Sequence, residues 1–121
     1  MIQVKRIYEL FSKTDGTRVL VERLWPRGMT KEKAKLDLWL KEISPSPQLR
    51  LWYSHDPGKW DEFRKRYWAE LEMAQEAVKQ LRLLSKQGML TLVYAARDEQ
   101  HNSAIVLKAF LDQKALPGKT D

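Results

Sequence analysis

The sequence predicts an α/β domain: a small, mostly parallel sheet of three or four strands flanked by helices in Rossmann-like layering. Three observations predict it. Val19-Leu20-Val21 and Met89 to Ala96 are short runs of consecutive apolar residues, as expected of strands covered on both faces. Between them, apolar residues recur at steps of three and four, the period of a helix with one buried face. Strand-like and helix-like stretches alternate along the chain, which favours parallel strands joined through helices.

The elements follow in order. Gln3 to Tyr8 mixes β-branched and aromatic residues and reads as the first strand. Ser12 to Gly16 is a polar turn, and Asp15-Gly16 is read as a turn signal and nothing more. Arg18 to Trp25 reads as the second strand, stopped by Pro26 and Gly28. Thr30 is placed to cap a helix opening at residues 31–34. Leu36 to Leu40 fits a strand by its alternation and a helix by the spacing of Leu36, Trp39, Leu40 and Ile43. Ser44 to Pro47 is a loop, and Gln48 to Ser54 one or two helical turns. Asp56-Pro57 is a helix start, with a capping carboxylate and a proline suited to the first helical position. Trp60, Phe63, Tyr67, Leu71, Ala74, Val78, Leu81 and Leu84 then form one apolar face, with a break expected near Met73 and an end at Gly88. Met89 to Ala96 is the best strand and reads as central. The polar loop Arg97 to Asn102 follows, then a helix carrying Ala104, Ile105, Leu107 and Leu111. Residues 1–114 are expected to form one domain, and 115–121 a mobile polar tail.

Composition narrows the functions. A chain of 121 residues with 43% hydrophobic content suits one folded core. No apolar run could cross a bilayer, and the N-terminus lacks a secretory pattern, so a cytoplasmic location with no membrane partner is expected. The chain has no cysteine, which excludes disulfides, thiolate metal sites and a cysteine nucleophile. Its two histidines, His55 and His101, lack metal-ligand spacing, so neither a metal nor a cofactor is expected. No glycine-rich phosphate loop, nucleophile elbow or metal-binding helix motif occurs. The net charge of +6 suits an anionic partner, although the charges are spread along the chain.

Open parallel sheets bind ligands beyond the carboxyl ends of their strands, which directs attention to two loops. In the first, Arg23 and Arg27 flank Trp25; the guanidinium forks match phosphate or carboxylate, and the indole offers a flat face. Equally, Trp25 could pack in the core, with Arg23 paired to Glu22 or Asp98. In the second, Arg97, Asp98, His101 and Asn102 follow a buried strand that ends in Tyr94. With Asp98 capping the helix, His101 falls on its first turn. Asp98 and His101 could then exchange protons, Asn102 could orient a carbonyl or hydroxyl, and Tyr94 could stack on a ring. His55, just before a helix start, could face the same crevice. Each of these residues also has a purely structural reading.

The segments Arg18 to Gly28, His55-Asp56-Pro57 with Trp60, and Tyr94 to Asn102 together resemble the YeaO-like bacterial family. The three stretches run in one order over nearly the whole chain. The resemblance implies a small cytoplasmic α/β protein and no particular activity. Longer relatives in the wider group carry Cys-His-Arg where this sequence has Gln100-His101-Asn102, so the histidine is kept while the cysteine and arginine are lost. The expected function is binding of, or action on, an anionic small molecule such as a nucleotide or phosphorylated metabolite. A basic nucleic-acid-binding module and a protein-interaction domain are the alternatives.

Overall fold

The computed structural model describes residues 1–113; the tail expected at 115–121 lies outside the described residues. Four strands, β1 (Ile2–Arg6), β2 (Thr17–Leu20), β3 (Leu38–Trp39) and β4 (Leu90–Tyr94), form one sheet in the order β1-β4-β2-β3. Every neighbouring pair is parallel. Five helices accompany them: α1 (Lys31–Ala34), α2 (Pro47–Tyr53), α3 (Trp60–Met73), α4 (Gln75–Gln87) and α5 (Ser103–Asp112). No helix among the described residues is long and apolar enough to cross a membrane.

Strand β4 lies between β1 and β2, and all five of its residues are buried. Its side chains alternate between two cores. Leu90, Leu92 and Tyr94 join Val19 and Val21 in the larger one, under α2 to α5. Val93 joins Leu20 and Ile7 on the other face, covered by Ala34 of α1 and by Trp25, Met29, Leu36 and Trp39. The layering is therefore unequal: four helices roof one face, and a single helical turn with its flanking loops closes the other.

The ambiguous Leu36 to Leu40 segment is extended. Asp37 anchors it, because the Arg18 amide donates to the Asp37 carboxylate at 2.8 Å and the Asp37 amide returns to the Arg18 carbonyl at 2.8 Å. The second strand ends earlier than the Trp25 expected from sequence. The Val21 amide still reaches the Val93 carbonyl at 3.1 Å, after which the chain turns back over the sheet. The long apolar face divides at Ala74 into α3 and α4, close to the expected break. Asp56 accepts from the Gly58 amide at 2.9 Å and so caps a short 3-10 turn that leads into α3.

Asp15 is more than part of a turn. Its residue is 2% exposed, and its carboxylate receives Lys5 Nζ at 3.0 Å, the Arg18 guanidinium at 2.7 Å and the Ser12 amide at 3.2 Å. Arg18 is 1% exposed, and its Nε and Nη2 donate to the carbonyls of Lys35 and Ala34. The 3-10 turn at Lys13–Asp15 carries the carboxylate beneath the sheet, where the Thr91 hydroxyl also fixes the Asp15 carbonyl at 2.7 Å. Gly16 permits this with a φ of +65; a Cβ there would lie 2.3 Å from the Met89 carbonyl oxygen.

Burial pushes the Asp15 pKa up, but Lys5, the Ser12 amide and Arg18 outweigh it and hold the carboxyl below the usual carboxylate range. A lowered folded-state pKa means that its stabilisation is complete above the unfolded value and is lost as pH falls through the folded one. Asp15→Asn leaves Arg18 buried without its counter-charge and is predicted to cost about 3–5 kcal/mol. Urea unfolding at neutral pH checks this; a loss below about 1 kcal/mol, the range of an exposed pair, would contradict it.

Candidate functional site

Parallel pairing brings the ends of β2 and β4 side by side, and the two loops that follow touch at once. The Ala95 amide donates to Glu22 Oε2 at 2.9 Å. Helix α2 arrives at the same end of the sheet with Tyr53 in its last turn. Ser54 and His55 then both adopt left-handed backbone, with φ of 47 and 56, a conformation that non-glycine residues adopt at a cost. This double turn leaves His55 exposed beside Tyr53, ring centroids 6.2 Å apart. Trp60, at the start of α3, lies 6.0 Å from Tyr53.

The loop after β4 supplies the second histidine. Asp98 accepts from the amides of Gln100 at 2.9 Å and His101 at 3.0 Å, and its Oδ2 holds His101 Nδ1 at 2.9 Å. The imidazole stands edge-on to Trp60, centroids 5.1 Å apart. Both histidines therefore meet one aromatic group formed by Tyr53 and Trp60. A carboxylate at Nδ1 orients the ring with its proton there, so Nε2 is the atom left to accept from a ligand or, when protonated, to donate to one.

The electrostatics fit these contacts. The Gln100 amide first, then the His101 ring, hold the Asp98 carboxyl below the ordinary range. Burial pushes Glu22 up, against the Ala95 amide and the charges of Arg50 and His55. Burial likewise raises Tyr53, with the Asp98 and Asp56 carboxylates adding to it.

The structure brings Asp98, His101 and His55 together and separates other residues singled out in the sequence. Asp98 does not cap the last helix. Asn102 does, its side-chain oxygen accepting from the Ile105 amide at 3.1 Å while its Nδ2 donates to the Asp98 carbonyl at 3.0 Å. His101 thus precedes α5 and does not sit on its first turn. Trp25 packs on the other face of the sheet, its indole N–H on the Met29 carbonyl and its ring edge-on to Trp39 at 5.4 Å. Tyr94 is 3% exposed in the main core. Arg97 and Arg27 are exposed. Arg23 pairs with neither Glu22 nor Asp98: its Nη2 reaches the Pro45 carbonyl at 3.4 Å, and its buried Nε has no partner among the described residues. It lines a neighbouring cavity of about 160 Å³ with Ser44, Ser46 and Glu70.

Glu22, Arg50 and Tyr53 belong to this site and are not among the site residues expected from the sequence, although Glu22 lies within the Arg18 to Gly28 segment. Glu22 interrupts an apolar run, which is the one local signal available; Arg50 and Tyr53 join only through the packing of α2. Among the described residues, no group of three His, Asp or Glu side chains is placed to hold a metal ion.

A carboxylate raised on folding stabilises the folded state only at low pH, and that contribution is lost as pH rises through the folded pKa. Glu22→Gln keeps an acceptor for the Ala95 amide and removes the buried charge. The variant should match the parent near pH 4 and equal or exceed it in unfolding free energy at pH 7, as read from urea unfolding at both values. A variant that loses stability progressively from pH 4 to 7 would show that the Glu22 charge is net favourable.

Comparison with known proteins gives the family. The model of the inactive DUF488-N3 subclade matches residues 1–120. The uncharacterized protein YeaO of Escherichia coli is 42% identical over 110 residues, 91% of this chain and 96% of its own length. Uncharacterized proteins of Mycobacterium bovis and Mycobacterium tuberculosis are each 40% identical over 111 residues, 92% of this chain and 93% of theirs. No solved structure matches the chain. With residues 1–120 covered by one family model, the chain belongs to the inactive DUF488-N3 subclade.

Proposed function

We propose that the chain binds an anionic small molecule, such as a nucleotide or phosphorylated metabolite, at the carboxyl ends of β2 and β4, and that it binds without turning the ligand over. The observation that carries this reading is the convergence of His55 and His101 on the Tyr53–Trp60 group, beside the joined loops at Glu22 and Ala95. Arg97 and Arg50 supply exposed positive charge close by. The Asp98-oriented His101 supplies a directed nitrogen; Tyr53 is buried beneath, and the half-buried Trp60 supplies the apolar edge of the site.

Binding is favoured over catalysis on two grounds. The chain has no cysteine to serve as a nucleophile at Gln100, and the family to which it belongs is described as inactive. The Asp98–His101 pair could move a proton, but none of the residues around it is a nucleophile activated by that pair. Against the nucleic-acid alternative, Trp52 already carries Arg66 at 4.2 Å and Lys59 at 5.1 Å from its ring, so an obvious aromatic platform is occupied by the chain's own cations.

Thermal unfolding with guanosine monophosphate, adenosine monophosphate, ribose 5-phosphate and inorganic phosphate tests the reading. A ligand present at one hundred times its Kd should stabilise by about 2.7 kcal/mol, a rise of several degrees in Tm. The rise should be lost in His101→Ala and reduced in Arg97→Ala. No rise with any probe, or a rise that survives both substitutions, would contradict the assignment. Binding of oligonucleotides alone, with a steep salt dependence, would favour the nucleic-acid alternative.

A further inference from the structure

Away from the histidines, α3, α4 and α5 leave an open groove of about 500 Å³ with an apolar floor of Leu71, Val78, Leu83 and Phe110. Leu83 is 51% exposed there, although it lies on a helix whose other leucines pack inward. One wall is basic. Lys79, Arg82 and Lys86 occupy positions i, i+3 and i+7 of α4 and so share a stripe of that helix. Glu72 is the one acidic residue in the lining.

Like Arg27, Arg50, Lys65 and Arg97 elsewhere on the surface, these three cations carry charge that no carboxylate among the described residues offsets; what sets them apart is their common stripe beside an apolar floor. Arg64, Arg66 and Lys108 each hold a carboxylate of their own helix. Lys79, Arg82 and Lys86 have no carboxylate partner among the described residues. Arg82 is fixed in place by the Phe110 carbonyl at 3.2 Å and lies over the Phe110 ring at 5.7 Å, so its charge sits at the groove wall. The groove is also elongated. Arg82, Lys86 and Gln113 line a second cavity of about 340 Å³ with Met1 and Ile2; its one carboxylate, Asp112, is paired with Lys108. Lys79 to Lys86 alone spans about 10 Å of helix.

We infer that this trough is a docking site for an acidic, amphipathic segment of a partner protein, which lays apolar side chains on Leu83 and Phe110 and its carboxylates along Lys79, Arg82 and Lys86. The charge complementarity commits the partner to acidic character. The trough's length suits a stretch of chain better than a compact ligand, and its concavity suits an inserted helix face better than a flat membrane. The site is independent of the ligand site proposed above, and either can fail alone.

The test uses the full chain and a fluorescein-labelled 14-residue peptide with leucines at i, i+3, i+4 and i+7, three glutamates flanking that face and alanines elsewhere to favour the helix. A second peptide carries lysines in place of the glutamates. Arg82 is left intact because it also anchors α5. In fluorescence anisotropy, the glutamate peptide should bind and the lysine peptide should not. Lys79→Glu with Lys86→Glu should weaken the glutamate peptide about tenfold or more. The neutral pair Lys79→Gln with Lys86→Gln should weaken it less, and serves alone if charge reversal prevents folding. No binding of the glutamate peptide, equal binding of both peptides, or an affinity unchanged by either double substitution would overturn the inference. So would phosphatidylglycerol vesicles that bind with the same dependence on Lys79 and Lys86, which would make this a membrane surface.

Discussion

The parallel pairing of β2 with β4 is the constraint on which the rest of the molecule depends. Thr17 to Leu20 lie opposite Leu90 to Val93, and both strands have a further neighbour on their outer side. Because the two strands point the same way, their following loops must leave from one end. Residues 22 and 95 thus become neighbours, and the Ala95 amide finds its acceptor in Glu22. Helices α3, α4 and α5 pack over the same β4 residues that define this register, so the larger core and the loop junction are set together. A slip of one residue would turn Leu90, Leu92 and Tyr94 to the wrong face and break both.

The two faces of the sheet divide the work. The face under α2 to α5 is apolar and carries most of the burial. The other face is thinner, and much of its closure is polar: Asp15, Arg18, Lys5 and Thr91 tie the turn before β2 and the end of α1 to the sheet. Such a network gains little over an apolar core while intact, yet losing one member strands a buried charge. The ends of β2 and β4 are left to a looser group of loops and rings, where two left-handed residues and a hydrogen-bonded Asp98 fix the histidines without burying them. A rigid sheet presenting exposed, oriented polar groups is the arrangement expected of a binding surface.

Much of the fold is legible in the sequence because local chemistry decides it. The apolar run at residues 89–96 can hardly be anything but an inner strand, and Thr30 caps α1 as its position suggests. The division at Ala74 leaves no mark in the apolar spacing, which runs on in steps of three and four from Leu71 to Val78. What local chemistry does not decide is less legible. Asp98 and Asn102 both precede α5 and both could cap it; the choice falls to Asn102 because Asp98 is engaged by Gln100 and His101. Asp15 looks like any turn aspartate until its partners Lys5 and Arg18 come from different strands. Trp25 resembles a loop aromatic at a strand exit, but β2 ends at Leu20 and the chain has folded back before the indole is placed. Of the candidate site, His101 and Asp98 stand out as polar residues just past a strand and His55 just before a helix start, Glu22 shows only as a charge in an apolar run, and Arg50 and Tyr53 enter through tertiary packing alone.

His55 and His101, distant in sequence, should respond to one ligand as parts of one surface. Two-dimensional NMR of their ring protons during a titration with a nucleoside monophosphate reads this directly. Both rings should shift, with curves that saturate at a common Kd. Movement of one imidazole alone, or of neither while the ligand binds elsewhere, would contradict a shared site at the ends of β2 and β4.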